Sequence, residues 1–162
     1  MNEALLNGSL TVAYPDGFHV MDADEQQRVF QESAPNRWGI WDTERHVIIS
    51  VQWHESHPSI LGKIAGVKDL AKRNEHAAAK AYKREGYKAG DFFAREICGR
   101  EACGFRYDYV VQGIQHAGEV DVFLQPIEGG NCCYTLSMQG RKENAQENYA
   151  LFEEMLSSLR LA

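Results

Sequence analysis

Long apolar runs, a secretion signal and cysteine-dense spacing are all missing from this 162-residue chain, and each absence narrows its class. No stretch reaches the roughly 18 to 20 apolar residues that a membrane helix needs, so no membrane partner is expected. The opening Met1-Asn2-Glu3-Ala4-Leu5-Leu6-Asn7-Gly8 has no basic region, apolar core or cleavage site, which points to the cytoplasm. The cysteines, at 98, 103, 132 and 133, are too few and too irregular for a disulfide framework; free thiols are expected. There is no internal repeat, low-complexity tract or Pro/Ser-rich linker, so residues 1–162 read as one domain. What is present is ordinary for a folded protein: 44% hydrophobic and 25% charged residues, enough to build a core and to exclude a disordered chain.

Positive charge is also in short supply. The net charge is −6, which argues against nucleic acid as a partner because phosphate contacts need clustered Lys and Arg. The deficit is uneven. Residues 1–60 carry 3 basic and 9 acidic side chains, residues 61–90 carry 8 and 3, and residues 91–162 carry 6 and 11. One segment of net +5 therefore sits between segments of −6 and −5.

Periodicity supplies the elements. Ser9 to Tyr14 reads as a strand, and Pro15-Asp16-Gly17 as a turn in which proline presets φ. Phe18 to Met21 is extended, and Asp22 or Asp24 caps a short helix running to about Gln31. Trp38 to Trp41 and His46 to Trp53 form a hairpin, the second strand alternating Val47, Ile49, Val51 and Trp53 on one apolar face. After Pro58 the spacing becomes helical through Ile60, Ile64, Val67, Ala71, Asn74, Ala78 and Ala81, the firm part being Val67 to Glu85 with Gly86 just past its end. Four strands follow: Phe92 to Cys98, Cys103 to Gln112 with Phe105, Tyr107, Tyr109 and Val111 on one face, Val120 to Pro126 after a turn at His116-Ala117-Gly118, and Cys132 to Gln139. A last helix is expected to be capped by Asn144, with Glu147 reaching back, and to dock through Tyr149, Phe152, Leu156 and Leu159. The fold class is α+β, an antiparallel sheet of about six or seven strands flanked by helices.

In this order the elements resemble the PsbP/Mog-like superfamily over about residues 9–161. The resemblance is carried by Tyr14-Pro15-Asp16-Gly17-Phe18, Glu85-Gly86-Tyr87-Lys88, Ile97-Cys98-Gly99-Arg100-Glu101-Ala102 leading into Phe105-Arg106-Tyr107, Tyr134-Thr135-Leu136, and the closing Phe152 to Leu159. It implies an α/β/α sandwich and a role as an accessory subunit, partner-binding protein or chaperone rather than an enzyme. Neither the export signal of the plant PsbP subunit nor a Ran-binding surface is matched, so those particular roles do not carry over.

Few constellations point to chemistry. His54 and His57 flank Glu55, but histidines three apart do not reproduce the four-residue spacing of a helical zinc site; no metal or cofactor is expected. Cys132 and Cys133 are adjacent on a strand and point to opposite faces, as buried structural thiols would. Glu119, Asp121 and Glu128 are read as solvated charges at a strand edge, and no nucleophile turn occurs. The basic helix is the most informative feature. Lys72, Arg73, Lys80 and Lys83, with Lys63, Lys68, Arg84 and Lys88 around them, read either as a solvated face paired to acidic neighbours, or as a docking face for an acidic protein or the positive half of a homodimer. Trp38 and Trp41, close to a turn and on opposite faces of an extended segment, are the second candidates, one of them expected to be exposed. The resulting expectation is a non-catalytic protein-binding adaptor or chaperone; the alternative is a small-molecule or metal-binding enzyme using His54, His57 and a cysteine.

Overall fold

A computed structural model describes residues 1–32, 34–57 and 65–162. Residues 58–64, which include Pro58, Ile60, Lys63 and Ile64 of the anticipated helical pattern, lie outside the described residues. Eleven strands and three α-helices are described: β1 Asn2–Leu6, β2 Leu10–Tyr14, β3 His19–Val20, α1 Ala23–Phe30, β4 Arg37–Asp42, β5 Val47–Ser56, α2 Val67–Ala81, β6 Lys88–Ala89, β7 Phe93–Ile97, β8 Arg100–Val111, β9 Ile114–Ile127, β10 Gly130–Arg141, α3 Ala145–Ser158 and β11 Arg160–Leu161. The main sheet is antiparallel and eight-stranded, ordered β3-β4-β5-β10-β9-β8-β6, with β7 also pairing along β8. A second sheet runs β1-β2-β11.

The run β7 to β10 is the anticipated four-strand meander, but its registers differ from the sequence reading in one place that matters. The β8–β9 turn is Gln112-Gly113, not His116-Ala117-Gly118. Both turn residues have positive φ, 51° and 78°, the conformation of a two-residue hairpin turn. Consequently His116 lies inside β9, directly opposite Tyr109.

Side-chain alternation divides the main sheet into two unlike faces. On one, Ile40, Val47, Ile49, Val51, Leu136 and Met138 form a core with Phe152, Met155 and Leu156 of α3 and with Leu6, Leu10 and Val12 of the small sheet. On the other, Cys103, Phe105, Tyr107, Tyr109, Val120 and Val122 meet Val67 and Ala71 of α2. Gly118 allows Tyr107 to lie flat there, because a Cβ would sit 2.6 Å from the ring and 2.8 Å from the Met138 carbonyl oxygen.

The helix ends show where local signals operate. Asp22 caps α1: its carboxylate accepts from the Glu25 amide at 2.8 Å, and Glu25 accepts from the Asp22 amide at 3.2 Å, a complete capping box. Asn144 does not cap α3 through its side chain. A 3-10 turn over Lys142–Asn144 leads into the helix instead, which corrects the capping box expected there. Helix α2 ends at Ala81, four residues before Glu85; Gly86 takes the left-handed conformation, φ 63°, at the end of the turn that follows.

Candidate functional site

Helix α2 is amphipathic because its small and apolar side chains recur at helical spacing. Ala71 is wholly buried and Val67 nearly so, against β8 and β9. The remaining circumference carries cations. Lys68, Lys72, Arg73 and Lys80 on the helix, Lys83 and Arg84 in the turn, and Lys88 on β6 are all exposed. None of the seven has an ion-pair partner among the described residues. The sequence left open whether neighbouring acids neutralise this face; Asp69, Glu75 and Glu85 are close in sequence, yet none pairs with it. Lys63 lies outside the described residues.

The two tryptophans do not act together. Trp38 is half-buried on the α3 side, edge-on to Tyr14 with ring centroids 5.4 Å apart. Trp41 is half-buried on the α2 side, beside His19, and lines a cavity of about 420 Å³ with Ile48, Tyr109, His116 and Gln139. Neither is freely exposed, because each packs against an aromatic neighbour.

That cavity continues into a second, of about 620 Å³, which shares Ile48, Tyr109, His116 and Gln139 and reaches the ends of α1 and α2. Its wall is a stack of rings. Tyr82 and Tyr109 lie 4.0 Å apart, within 12° of parallel, and His116 stacks on Tyr109 at 5.0 Å. Gln139 fastens them: the Tyr109 hydroxyl donates to its Oε1 at 3.0 Å, and its Nε2 donates to the Tyr82 hydroxyl at 3.2 Å. Burial, aided by the field of Arg141, pulls the His116 pKa down, so the ring is mostly neutral at pH 7. Sequence reading missed this groove because it placed His116 in a turn. The signal available was Gln-Gly at 112–113, which fixes the pairing of His116 with Tyr109.

Glu119 and Asp121 depart most from expectation. They are not solvated: β9 is paired on both sides, and the two side chains are 2% and 0% exposed on the α3 face. Arg106 donates from Nε to Glu119 at 2.7 Å, and its guanidinium lies 3.9 Å from the centre of the Tyr149 ring. Arg95 Nη1 stands 3.7 Å from Glu119 and 3.8 Å from Asp121, and Nη2 donates to Glu153 of α3. Among the described residues, neither oxygen of Asp121 has a hydrogen-bond partner. Burial, reinforced by Glu119, pushes its pKa up to about 9, so Asp121 is protonated at neutral pH. The cluster ties β7, β8 and β9 to α3.

His54, His57 and the cysteines are dispersed. His54 faces Cys133 across the β5–β10 ladder, whereas His57 lies just past the end of β5, 3.6 Å from Glu55 and 3.3 Å from the Gly129 carbonyl. Burial raises the Cys132 and Cys133 thiols, which disfavours the thiolate that nucleophilic attack or metal ligation needs. Among the described residues, no three His, Cys, Asp or Glu side chains cluster as a metal site would require. No described helix is long and apolar enough to cross a membrane.

No family model matches the chain, and no functionally curated protein does either. Solved structures do match. The Ran-binding protein Mog1p of Saccharomyces cerevisiae aligns with a TM-score of 0.63 at 12% identity, over 99% of this chain and 94% of its own. Cyanobacterial PsbP from Synechocystis aligns at 0.62 and 17% identity, over 94% and 86%. LpqN, involved in cell envelope biogenesis in Mycobacterium tuberculosis, aligns at 0.58 and 16% identity, over 94% and 83%. The chain therefore has the α+β fold of PsbP and Mog1p. At these identities the likeness fixes the fold and nothing finer.

Proposed function

We propose that this protein is a single-domain, non-catalytic binding module of the cytoplasm that docks an acidic partner protein on the exposed face of α2. One observation carries this reading: seven exposed cations, without an ion-pair partner among the described residues, form a continuous segment of a protein whose net charge is −6. Unpaired like charges on neighbouring turns repel one another, and an acidic surface relieves that repulsion while steering association. Mog1p, which shares the fold, is a Ran-binding protein, in keeping with a fold that presents protein-binding surfaces. The dispersal of His54, His57 and the cysteines leaves the metal or enzyme alternative without an assembled site.

Capture of partners from cell extract by the wild type and by Lys72→Glu/Arg73→Glu/Lys80→Glu/Lys83→Glu tests the proposal. The wild type is expected to retain an acidic protein at low salt and lose it progressively as the Debye length shrinks from about 10 Å at 0.1 M to about 3 Å at 1 M. The reversed helix is expected to retain none, with its circular dichroism unchanged because all four side chains are exposed. Equal retention by the two proteins overturns the assignment. Capture of a second copy of the same chain identifies a homodimer as the occupant.

A further inference from the structure

The groove between the C-terminal ends of α1 and α2 has the opposite electrostatic character to the outer face of α2. Its lining includes Phe30 and Glu32 from the end of α1, Tyr82 and Glu85 from the turn after α2, and Tyr109 and His116 from the sheet. Among the described residues that line it there is no lysine or arginine. Both helices direct their C-terminal ends here, and each such end carries the equivalent of about half a negative charge on its unsatisfied carbonyls. Two carboxylates add to that potential. Glu32 is ion-paired to Arg37 at 3.4 Å. Glu85 is half-buried and has no cationic partner among the described residues, although Lys83 and Arg84 precede it in the chain. Its field reaches the ring stack, adding to the upward shift of the Tyr109 pKa and opposing the downward shift of the His116 pKa.

We propose that this groove binds an organic cation, an alkylammonium or guanidinium group, with Glu85 as its counter-ion and the Tyr82–Tyr109–His116 wall as its apolar support. A neutral ligand would leave the half-buried Glu85 carboxylate unpaired, whereas a cation pairs it and meets the negative ends of both helices. A hydrated metal ion is poorly suited, since the wall is aromatic and the described residues offer no three-ligand cluster. Alkyl groups on the cation, by contrast, lie well on ring edges and faces, where cation–π attraction adds to the ion pair. The wall is ready before the ligand arrives, because Gln139 already fixes both tyrosine hydroxyls. The site is separate from the docking face of α2, whose cations do not line it.

Titration of the full-length protein with choline, with its neutral isostere 3,3-dimethylbutan-1-ol, and with N-acetyl-lysine methylamide tests the proposal. The ring signals of His116 and the side-chain amide of Gln139 serve as NMR reporters. Saturable shifts with at least one of the two cations, and none with the neutral isostere, are expected. Choline alone identifies a free quaternary ammonium; the lysine amide alone identifies a basic side chain of a partner. Glu85→Gln, at a half-buried rim position, is expected to weaken the response about tenfold, while Lys83→Gln leaves it unchanged or strengthens it. Equal binding of the neutral isostere, an undiminished response in Glu85→Gln, or no saturable shift from either cation would each overturn the assignment. The dispersion of the wild-type spectrum and of both variants verifies that all three are folded.

Discussion

Asp121→Asn is expected to abolish most of the stability loss of this protein between about pH 5 and pH 8. In the folded state Asp121 keeps its proton up to about pH 9, because it is fully buried beside Glu119; in the unfolded chain the proton leaves near pH 3.8. Between those values the folded state binds the extra proton, so unfolding releases it and stability falls as pH rises. A shift of this size corresponds to several kcal/mol across the window. The groups facing Asp121 do not cancel it: Arg95 of β7 is shared with Glu119 and Glu153, and Arg106 of β8 is spent on Glu119 and Tyr149. Asparagine keeps the shape and cannot ionise. Denaturant unfolding at pH 5, 6.5 and 8 should show the wild type declining steeply and the variant much less, with the variant the more stable at pH 8; above that, the buried thiols add a decline common to both proteins. Parallel declines would mean that Asp121 is ionised in the fold.

Phe152→Ala tests the packing of α3 on that same face of the sheet. Phe152 is 1% exposed, at the centre of the α3 stripe that closes the larger core. Removing a buried phenyl ring costs about 3 to 5 kcal/mol, a transfer term plus a cavity term, out of a total of about 5 to 15 kcal/mol for a domain of ordinary stability. The midpoint of denaturation should fall by a large fraction of its value with the slope preserved. A loss below about 1 kcal/mol would mean that α3 is not clamped on the sheet as described.

Much of the fold was legible because buried faces impose period on sequence. Val47, Ile49 and Val51 alternate as a strand with one buried face must, and Phe105, Tyr107, Tyr109 and Val111 do face α2. Three features escaped. Strand β1 turns into β2 through Asn7 and Gly8, both at positive φ, 52° and 63°; Asn-Gly is a hairpin signal, but the weak apolar alternation of Asn2–Leu6 hid the strand before it. The pairings of β6 and β11 are two residues long and leave no periodicity to read; β3, equally short, falls within the extended Phe18 to Met21 segment, and β3 and β6 together bring the main sheet to eight strands. Glu119 and Asp121 looked solvated because charge normally marks exposure, and the arginine that offsets their burial most fully, Arg95, arrives from a different strand.

The functional surfaces were legible in proportion to how local they are. The cations of α2 lie within one stretch of chain, so their clustering is visible in the sequence; that they lack partners is a fact of three dimensions. The separation of Trp38 from Trp41 follows from alternation along β4. The groove draws on α1, α2, β5, β8, β9 and β10 at once, and no sequence window spans it.

The docking reading is tested most directly by hydrogen exchange of the captured complex against the free protein. The account predicts new protection over residues 67–88, with β1 and α3 unchanged. Protection on α3 or along β1, with α2 exchanging as it does in the free protein, would contradict it.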